Sequence, residues 1–331
     1  MAPARKQRAG RIRAPPRVSK VQDAELGSTE EIREESLWGN LTYLRSETLL
    51  VATITTWATP DRLYRMSKKF QQYANPPIVE LVLGVQFDSI PGFTTGHSGW
   101  FWRECLGDDW KVSEGQLLPD QTEVFSGLFP NRLAFQLSQN SASRLLVENA
   151  SGDRLLQIQH TRLHYNWRKK DGDYPHFGLV FEEFYRYFTA FKKFVGVAGL
   201  KPVVINQWEV TYVDIIPPGE LWDHAGDFHN VLPGLFPAHT ELDGLRPETT
   251  AVERAYEITP QRGRLHVVAN LSFFAAEKRP SLLVNMTARG PIAADSPESL
   301  KDHMEIGHVA AGEAFAGLTS DKAKRLWEGK S

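Results

Sequence analysis

The chain has 331 residues, of which 41% are hydrophobic and 11% aromatic, enough apolar material for one large or two modest domains. The formal net charge of −2 argues against a protein whose whole surface binds nucleic acid. The single cysteine, Cys105, excludes an intramolecular disulfide and a cysteine-rich zinc site, and it fits a reducing cytoplasm. Because Cys105 lies beside Leu106 in an apolar run, we expect a buried structural thiol. No run reaches the roughly 18–20 apolar residues of a membrane span, so we expect no membrane partner.

The first 65 residues differ in composition from the rest. Residues 1–22 carry seven basic side chains and no acidic ones, and residues 23–35 carry six acidic side chains against Arg33. With so little to bury, residues 1–65 are predicted to be a disordered or poorly ordered extension. The basic residues 1–20 suggest a nucleic-acid-binding arm, although a solvated tail is the simpler interpretation. Regular periodicity begins only after Met66, so an over-extended gene start is a further interpretation of this segment.

Residues 66–200 have the pattern of one α+β unit. Strands are predicted at 78–87, about 121–126, 132–138, 143–148 and 154–165, and a short helix is predicted at 100–106. A long helix follows from about Phe177 and ends at Gly199, and its apolar residues recur every three or four positions. The wide aromatic stripe on this helix predicts that it lies flat on a sheet.

Residues 201–331 repeat that order. The predicted elements are a strand at 202–216, a short segment at 220–228, and strands at 251–258, 264–273 and 281–288. A final long helix opens at Ser296-Pro297, where Ser is a good N-cap and Pro a good first residue.

The sequence therefore predicts an α+β fold with internal duplication. Each unit would run strand, short helix, antiparallel meander and long helix, with the long helices packed on the sheet. The two repeats would form one compact unit. The two meanders can either join in one curved sheet, with both long helices on one face, or stand as two lobes.

Several short motifs resemble those of a known family. They are Asn75-Pro-Pro-Ile-Val-Glu, Gln159 leading to Asn166-Trp167-Arg168 and Tyr174-Pro175, Glu209-Val-Thr-Tyr-Val, and a late Trp327. Together they resemble a sporadically distributed bacterial family of uncharacterised proteins, over about residues 70–327. The family pattern has Asn where this chain has Asp214. The resemblance supports the fold and implies no known reaction.

The densest group of polar and aromatic residues lies between the predicted strand at 154–165 and the long helix. Its candidate binding residues are Asn166, Trp167, Arg168 and Tyr174. A planar guanidinium, an amide and aromatic rings suit recognition of a carboxylate, a phosphate or a base. The alternative is structural, with Asn166 bonding the turn backbone, Trp167 capping the core and Arg168 paired with an acid.

Histidines and acids give weaker candidates. If 154–166 is one strand, His160 and His164 share a face with Cβ atoms about 13 Å apart, too far for one metal ion. A loop cluster of metal-capable residues lacks the spacing of a metal motif: Asp223, His224, Asp227 and His229. No phosphate-binding, nucleophile-elbow or cysteine–histidine motif is present, so no catalytic residue, metal or cofactor is predicted.

These features favour a cytoplasmic, non-enzymatic binding or interaction protein, acting as an accessory or regulatory component with a protein partner. Two alternatives stay open. One is a hydrolase or nuclease of unrecognised type, which needs acids and histidines converging in one cleft. The other is a nucleic-acid-associated protein that uses the basic N-terminal arm.

Overall fold

The computed structural model describes residues 73–107, 109–125, 143–170, 172–238, 244–273, 279–292 and 296–328. The expected extension over 1–65, with its basic run, and the expected strand at 132–138 lie outside these stretches. Within them, no helix combines the length and the apolar character that a membrane span requires.

Each half of the chain runs, as predicted, from a first strand to a last long helix, with differences among the strands between them. The first half contains β1 (Ile78–Phe87), α1 (Thr95–Cys105), β2 (Lys111–Gly115), β3 (Arg144–Glu148), β4 (Arg154–Gln159), β5 (Arg162–Arg168) and α2 (His176–Val197). The second half contains β6 (Ile205–Ile216), a 3₁₀ helix (Ala225–Asn230), β7 (Ala251–Glu257), a helical turn (Thr259–Arg262), β8 (Arg264–Phe273), β9 (Pro280–Pro291), α3 (Pro297–Leu318) and α4 (Asp321–Glu328). As predicted, Ser296 caps α3, since its side chain accepts a hydrogen bond from the backbone N–H of Ser299.

The described residues form one antiparallel sheet of nine strands, in the order β2-β3-β4-β5-β1-β6-β9-β8-β7. The α+β class is therefore confirmed, and the two meanders join in a single sheet. The strands β1 and β6 pair with each other at its centre. Outward from this pair, one side of the sheet is built from the first half of the chain and the other side from the second half.

Two predicted strands are wrong. The stretch at 154–165 is the hairpin of β4 and β5, which turns at His160 and Thr161. Two-residue turns usually carry Gly or Asn. Because His160 and Thr161 are neither, the alternating pattern on both sides of them predicts one continuous strand. Residues 121–125, the described part of the strand predicted at 121–126, lie outside the sheet. The edge strand β2 was missed because its side chains are polar and mostly exposed.

Both long helices pack on the same face of the sheet, which we call the helix face. Phe191 of α2 contacts Phe87 of β1, with ring centroids 5.8 Å apart. The helix α3 covers β6 and β9. At the start of α2, Phe177 stacks on His308 of α3, with ring centroids 4.4 Å apart. The aromatic stripe of α2 is thus buried against the sheet, as its spacing predicts.

An extended segment crosses the opposite face of the sheet, which we call the open face. We call residues 118–123 the strap. Its main chain is bound by one side chain from each of four neighbouring strands, all at one register: Gln159 of β4, Arg162 of β5, Gln86 of β1 and Gln207 of β6. Their hydrogen bonds of 2.9–3.0 Å go, in that order, to Leu118, Pro119, Gln121 and Glu123. Glutamine side chains suit this role because they carry the same amide group as the main chain.

The far end of the strap is held by charge. The carboxylate of Glu123 is fully buried and accepts hydrogen bonds from Arg264, from His266 at 2.7 Å and from Arg289 at 2.6 Å. Burial alone would raise the pKa of Glu123, but the hydrogen bonds and charges of His266 and Arg289 lower it to about 2. Since the strap starts over β4 and ends on β8 and β9, it ties the two halves of the sheet together.

Replacing Glu123 tests this clamp. We expect Glu123→Gln to lower the free energy of unfolding by about 2–4 kcal/mol at pH 7, because two arginines then face a neutral amide. Urea denaturation measures the loss, with Glu114→Gln on exposed β2 as the control. Because the folded-state pKa is depressed, the wild-type advantage should be lost as the pH falls from about 4.5 through about 2. Equal stability of the wild type and Glu123→Gln at pH 7 would contradict the assignment.

Candidate functional site

The four predicted binding residues lie on two sides of the sheet. Asn166 and Arg168 alternate with Trp167 along β5, so they face the open side while Trp167 faces the helices. On the helix face, the rings of Trp167 and Tyr174 are 5.2 Å apart. The structure therefore brings Trp167 and Tyr174 together and separates both from Asn166 and Arg168. A binding role for the four residues stays a prediction.

The two residues on the open face are engaged with neighbouring side chains. Asn166 donates to Glu80 and accepts from Gln157, each at 2.8 Å. The guanidinium of Arg168 lies 3.3 Å from a carboxylate oxygen of Glu148. The contact of Arg168 matches its structural alternative, pairing with an acid, whereas Asn166 bonds two side chains of neighbouring strands and not the turn backbone.

Tyr174 lies in a cavity on the helix face. The cavity is about 370 Å³ in volume and opens between the start of α2 and the middle of α3, above the central strands β1 and β6. Most of its wall is aromatic or aliphatic: Tyr73, Pro76, Ile78, Phe177, Met286, Ala311 and Phe315. A size of 300–1,000 Å³ and a mainly apolar wall are typical of small-molecule sites.

A chain of hydrogen bonds runs along the polar end of this cavity. The hydroxyl groups of Tyr174 and Tyr212 are 3.4 Å apart, and the Tyr212 hydroxyl is 2.5 Å from Nδ1 of His308. Burial raises the pKa of both tyrosines and lowers the pKa of His308 to about 4. All three groups are therefore uncharged near neutral pH. They join the loop before α2, the strand β6 and the helix α3.

A buried carboxylate lies beside these hydroxyl groups. Asp214 follows Tyr212 on the same face of β6, and it is only 4% exposed. Within the described residues, no hydrogen bond or ion pair reaches its carboxylate, and burial raises its pKa to about 7. Glu305 of α3 also lines the cavity, and burial raises its pKa as well. Of the described lining residues none is lysine or arginine, although Lys301 of α3 lies close enough to act on the charge of Glu305.

The backbone is strained at the mouth of the cavity. His176 is the first residue of α2 and has a φ of 66°, a region that residues with side chains seldom adopt. Such strain persists where the surrounding structure holds it in place, and it is common at binding sites.

Sequence reasoning found one residue of this cavity, Tyr174, and missed its neighbours Tyr212, Glu305 and His308. They come from a strand and a helix that are distant along the chain, so no local spacing links them. Asp214 was noticed only as a departure from the family pattern. One feature of the sequence points to this region. Tyr212 and Asp214 are polar residues at helix-facing positions of β6, whose other helix-facing residues are mostly apolar.

The other sequence candidates do not converge. His160 lies in the turn between β4 and β5, whereas His164 lies on the open face, 3.7 Å from Glu209. In the loop cluster, Asp227 accepts hydrogen bonds from the backbone of Asp223 and His224, so it caps the 3₁₀ helix. Among the residues that the structure describes, no group of three or more His, Cys, Asp or Glu is placed to hold a metal ion.

Cys105 corrects another expectation. It is exposed at the end of α1 and is not a buried thiol, because the apolar side of this short helix is formed by Phe101 instead. Partial burial and Glu104 raise the pKa of its thiol, which disfavours the reactive thiolate.

A scan of the sequence against protein-family models gives no match, and a search of curated proteins gives none either.

Asp214 should make stability depend on pH. Because its folded-state pKa is raised, its contribution to stability is fully present below about pH 3.8 and is lost as the pH rises through about 7. We therefore expect Asp214→Asn to increase the free energy of unfolding by about 2–4 kcal/mol at pH 8 and by less than about 1 kcal/mol at pH 4. Urea denaturation at both pH values measures this, with exposed Asp223→Asn as the control. A destabilised Asp214→Asn variant at pH 8 would show that the carboxylate has a stabilising partner.

Proposed function

We propose that the protein is a non-enzymatic binding protein whose ligand site is the cavity between α2 and α3. The observation that carries this proposal is the cavity itself, with an apolar aromatic body and polar groups gathered at one end. Such a wall buries an apolar ligand, and the polar end fixes its orientation. Since Tyr174 lies in this wall, the sequence analysis selected one residue of the proposed site.

Binding is favoured over hydrolysis by the state of the polar groups. A hydrolytic site needs an activated nucleophile and a base held in position by a third group. In the cavity, burial raises the pKa of Tyr212, which disfavours a nucleophilic phenolate, and no described hydrogen bond holds the carboxylate of Asp214 in position. His160 lies in the turn between β4 and β5, His164 on the open face, and His224 and His229 at the 3₁₀ helix, so none of these histidines joins His176 and His308 in the cavity.

We also propose that the chain consists of two α+β repeats, residues 66–200 and 201–331. The support is that each half runs strand, short helix, antiparallel strands and long helix, and that the first strands of the two halves pair at the sheet centre. In such an arrangement the cavity lies where the two repeats meet. A ligand there would contact both repeats at once.

The family resemblance, the protein partner, the cytoplasmic location and the nucleic-acid-binding arm at residues 1–20 remain proposals that rest on the sequence. The hydrogen bonds of Asn166 with Glu80 and Gln157 leave its side chain less free for a partner than the sequence suggested. Arg168 is paired with Glu148, but its Nε has no hydrogen-bond partner among the described residues.

Blocking the cavity tests the proposed site. Gly178 lines its mouth and an added Cβ there would meet open space, so Gly178→Phe should fill part of the mouth without a clash. Gly196, near the end of the same helix, is also open but lies away from the cavity, so Gly196→Phe is a matched control.

The measurement is thermal unfolding with ammonium, carboxylate and uncharged aromatic compounds. A compound at about ten times its Kd should stabilise the wild type by about 1.4 kcal/mol, a rise in Tm of about 3 °C. We expect one of the three classes of compound to raise the Tm of the wild type and of Gly196→Phe, but not the Tm of Gly178→Phe. An equal rise in Gly178→Phe, or no rise with any class, would refute the cavity as the site.

A further inference from the structure

We infer that the ligand of this cavity carries an organic ammonium group that pairs with Asp214 inside an aromatic wall. This inference rests on the proposed function and adds the chemical class of the ligand. It depends on the position of Asp214 in the cavity wall, on the aromatic residues around it and on the lack of a described hydrogen bond or ion pair to its carboxylate.

Burying the ionised carboxylate of Asp214 costs free energy. An ionised carboxylate that has lost most of its contact with water is destabilised unless hydrogen bonds or an opposite charge replace the lost hydration. Within the described residues Asp214 has neither, although Glu123 on the other face of the same sheet has three donors. A cation delivered by a ligand would supply the missing partner.

The aromatic wall of the cavity also bears on the class of ligand. Seven residues with aromatic rings line the cavity: Tyr73, Tyr174, His176, Phe177, Tyr212, His308 and Phe315. The faces of phenol and phenyl rings attract organic cations, and aromatic walls are a recurring way to bind alkylated ammonium groups. Tyr174 and Tyr212 are close enough to Asp214 for its charge to raise their pKa values. An ammonium beside Asp214 would therefore also be near these two rings.

Titratable groups line the cavity with Asp214 on several elements. They are Tyr73 before β1, Tyr174 in the loop before α2, His176 on α2, Tyr212 on β6, and Glu305 and His308 on α3, whereas β1 and β9 contribute Ile78 and Met286. The N-terminus of α2 carries a partial positive charge, which would favour an anion. Lys301 offsets part of the charge of Glu305, but no described cation offsets Asp214, and no lysine or arginine in the described wall offers an anionic ligand a direct counter-charge.

Three compounds of similar shape separate charge from apolar burial: 2-phenylethylammonium, 2-phenylethanol and phenylacetate. All three fit within the 370 Å³ of the cavity. Isothermal titration calorimetry with the full chain at pH 8 should show 2-phenylethylammonium binding at least about tenfold more tightly than 2-phenylethanol, and phenylacetate more weakly than both.

Asp214→Asn should weaken 2-phenylethylammonium at least about tenfold and change 2-phenylethanol by less than about threefold. The control Asp223→Asn should bind all three compounds like the wild type. Because Asp214→Asn is expected to be more stable than the wild type, a weaker affinity would not reflect unfolding.

Affinity should also follow the ionisation of Asp214. Below pH 7, wild-type affinity for 2-phenylethylammonium should fall by up to about tenfold per pH unit, since the amine stays charged while Asp214 is protonated. The Asp214→Asn variant should show a flatter profile. A wild-type affinity that is constant between pH 5 and pH 8, together with an equal affinity of Asp214→Asn, would overturn the inference.

The ammonium group can come from a free amine or from a lysine side chain of a protein partner. Tighter binding of 2-phenylethylammonium than of N-acetyl-lysinamide supports a free amine, and the reverse order supports a lysine side chain. If 2-phenylethylammonium and 2-phenylethanol bind equally tightly and Gly178→Phe blocks both, the ammonium inference is overturned and the cavity is still supported as the binding site. Binding of none of these compounds would overturn both proposals.

Discussion

The antiparallel pairing of β1 with β6 is the interaction on which the rest of the structure depends. It joins the two halves of the chain in one sheet and sets their long helices side by side on one face. The groove between α2 and α3 exists only because of this placement, and the cavity opens in it. On the opposite face the same pairing sets Gln86 beside Gln207, so that the strap can cross from one half to the other.

The two faces treat a buried carboxylate in opposite ways. Glu123 on the open face lies among two arginines and a histidine, and its pKa is held at about 2. Asp214 on the helix face lies among tyrosines and apolar side chains, and its pKa is held at about 7. The contacts of Glu123 increase the free energy of unfolding, whereas the burial of ionised Asp214 decreases it. Residues that destabilise a fold occur most often where the fold binds something.

The parts of the fold that were predictable are those governed by local chemistry. The aromatic stripe of α2 and the cap at Ser296 follow from spacing and from hydrogen bonding within a few residues, and both are confirmed. The turn at His160 and Thr161 was missed because neither residue is typical of tight turns. Residues 121–126, which include the second half of the strap, have the pattern of a strand because an extended backbone looks the same locally whether its bonds go to main chain or to side chains. Of the proposed ligand site the sequence indicates only Tyr174, since Tyr212, Asp214 and His308 meet through tertiary packing alone.

The strap has a consequence for how this sequence can change over time. The row formed by Gln86, Gln159, Arg162 and Gln207 binds main-chain groups, so the side chains of Leu118 and Pro119 take no part in these bonds. Substitution at Leu118 and Pro119 should therefore cost little, whereas substitution in the row that holds them should not. Selection would act on the strands that hold the segment and on Glu123 at its end, whose carboxylate is itself bound, and would leave Leu118 and Pro119 largely free to change.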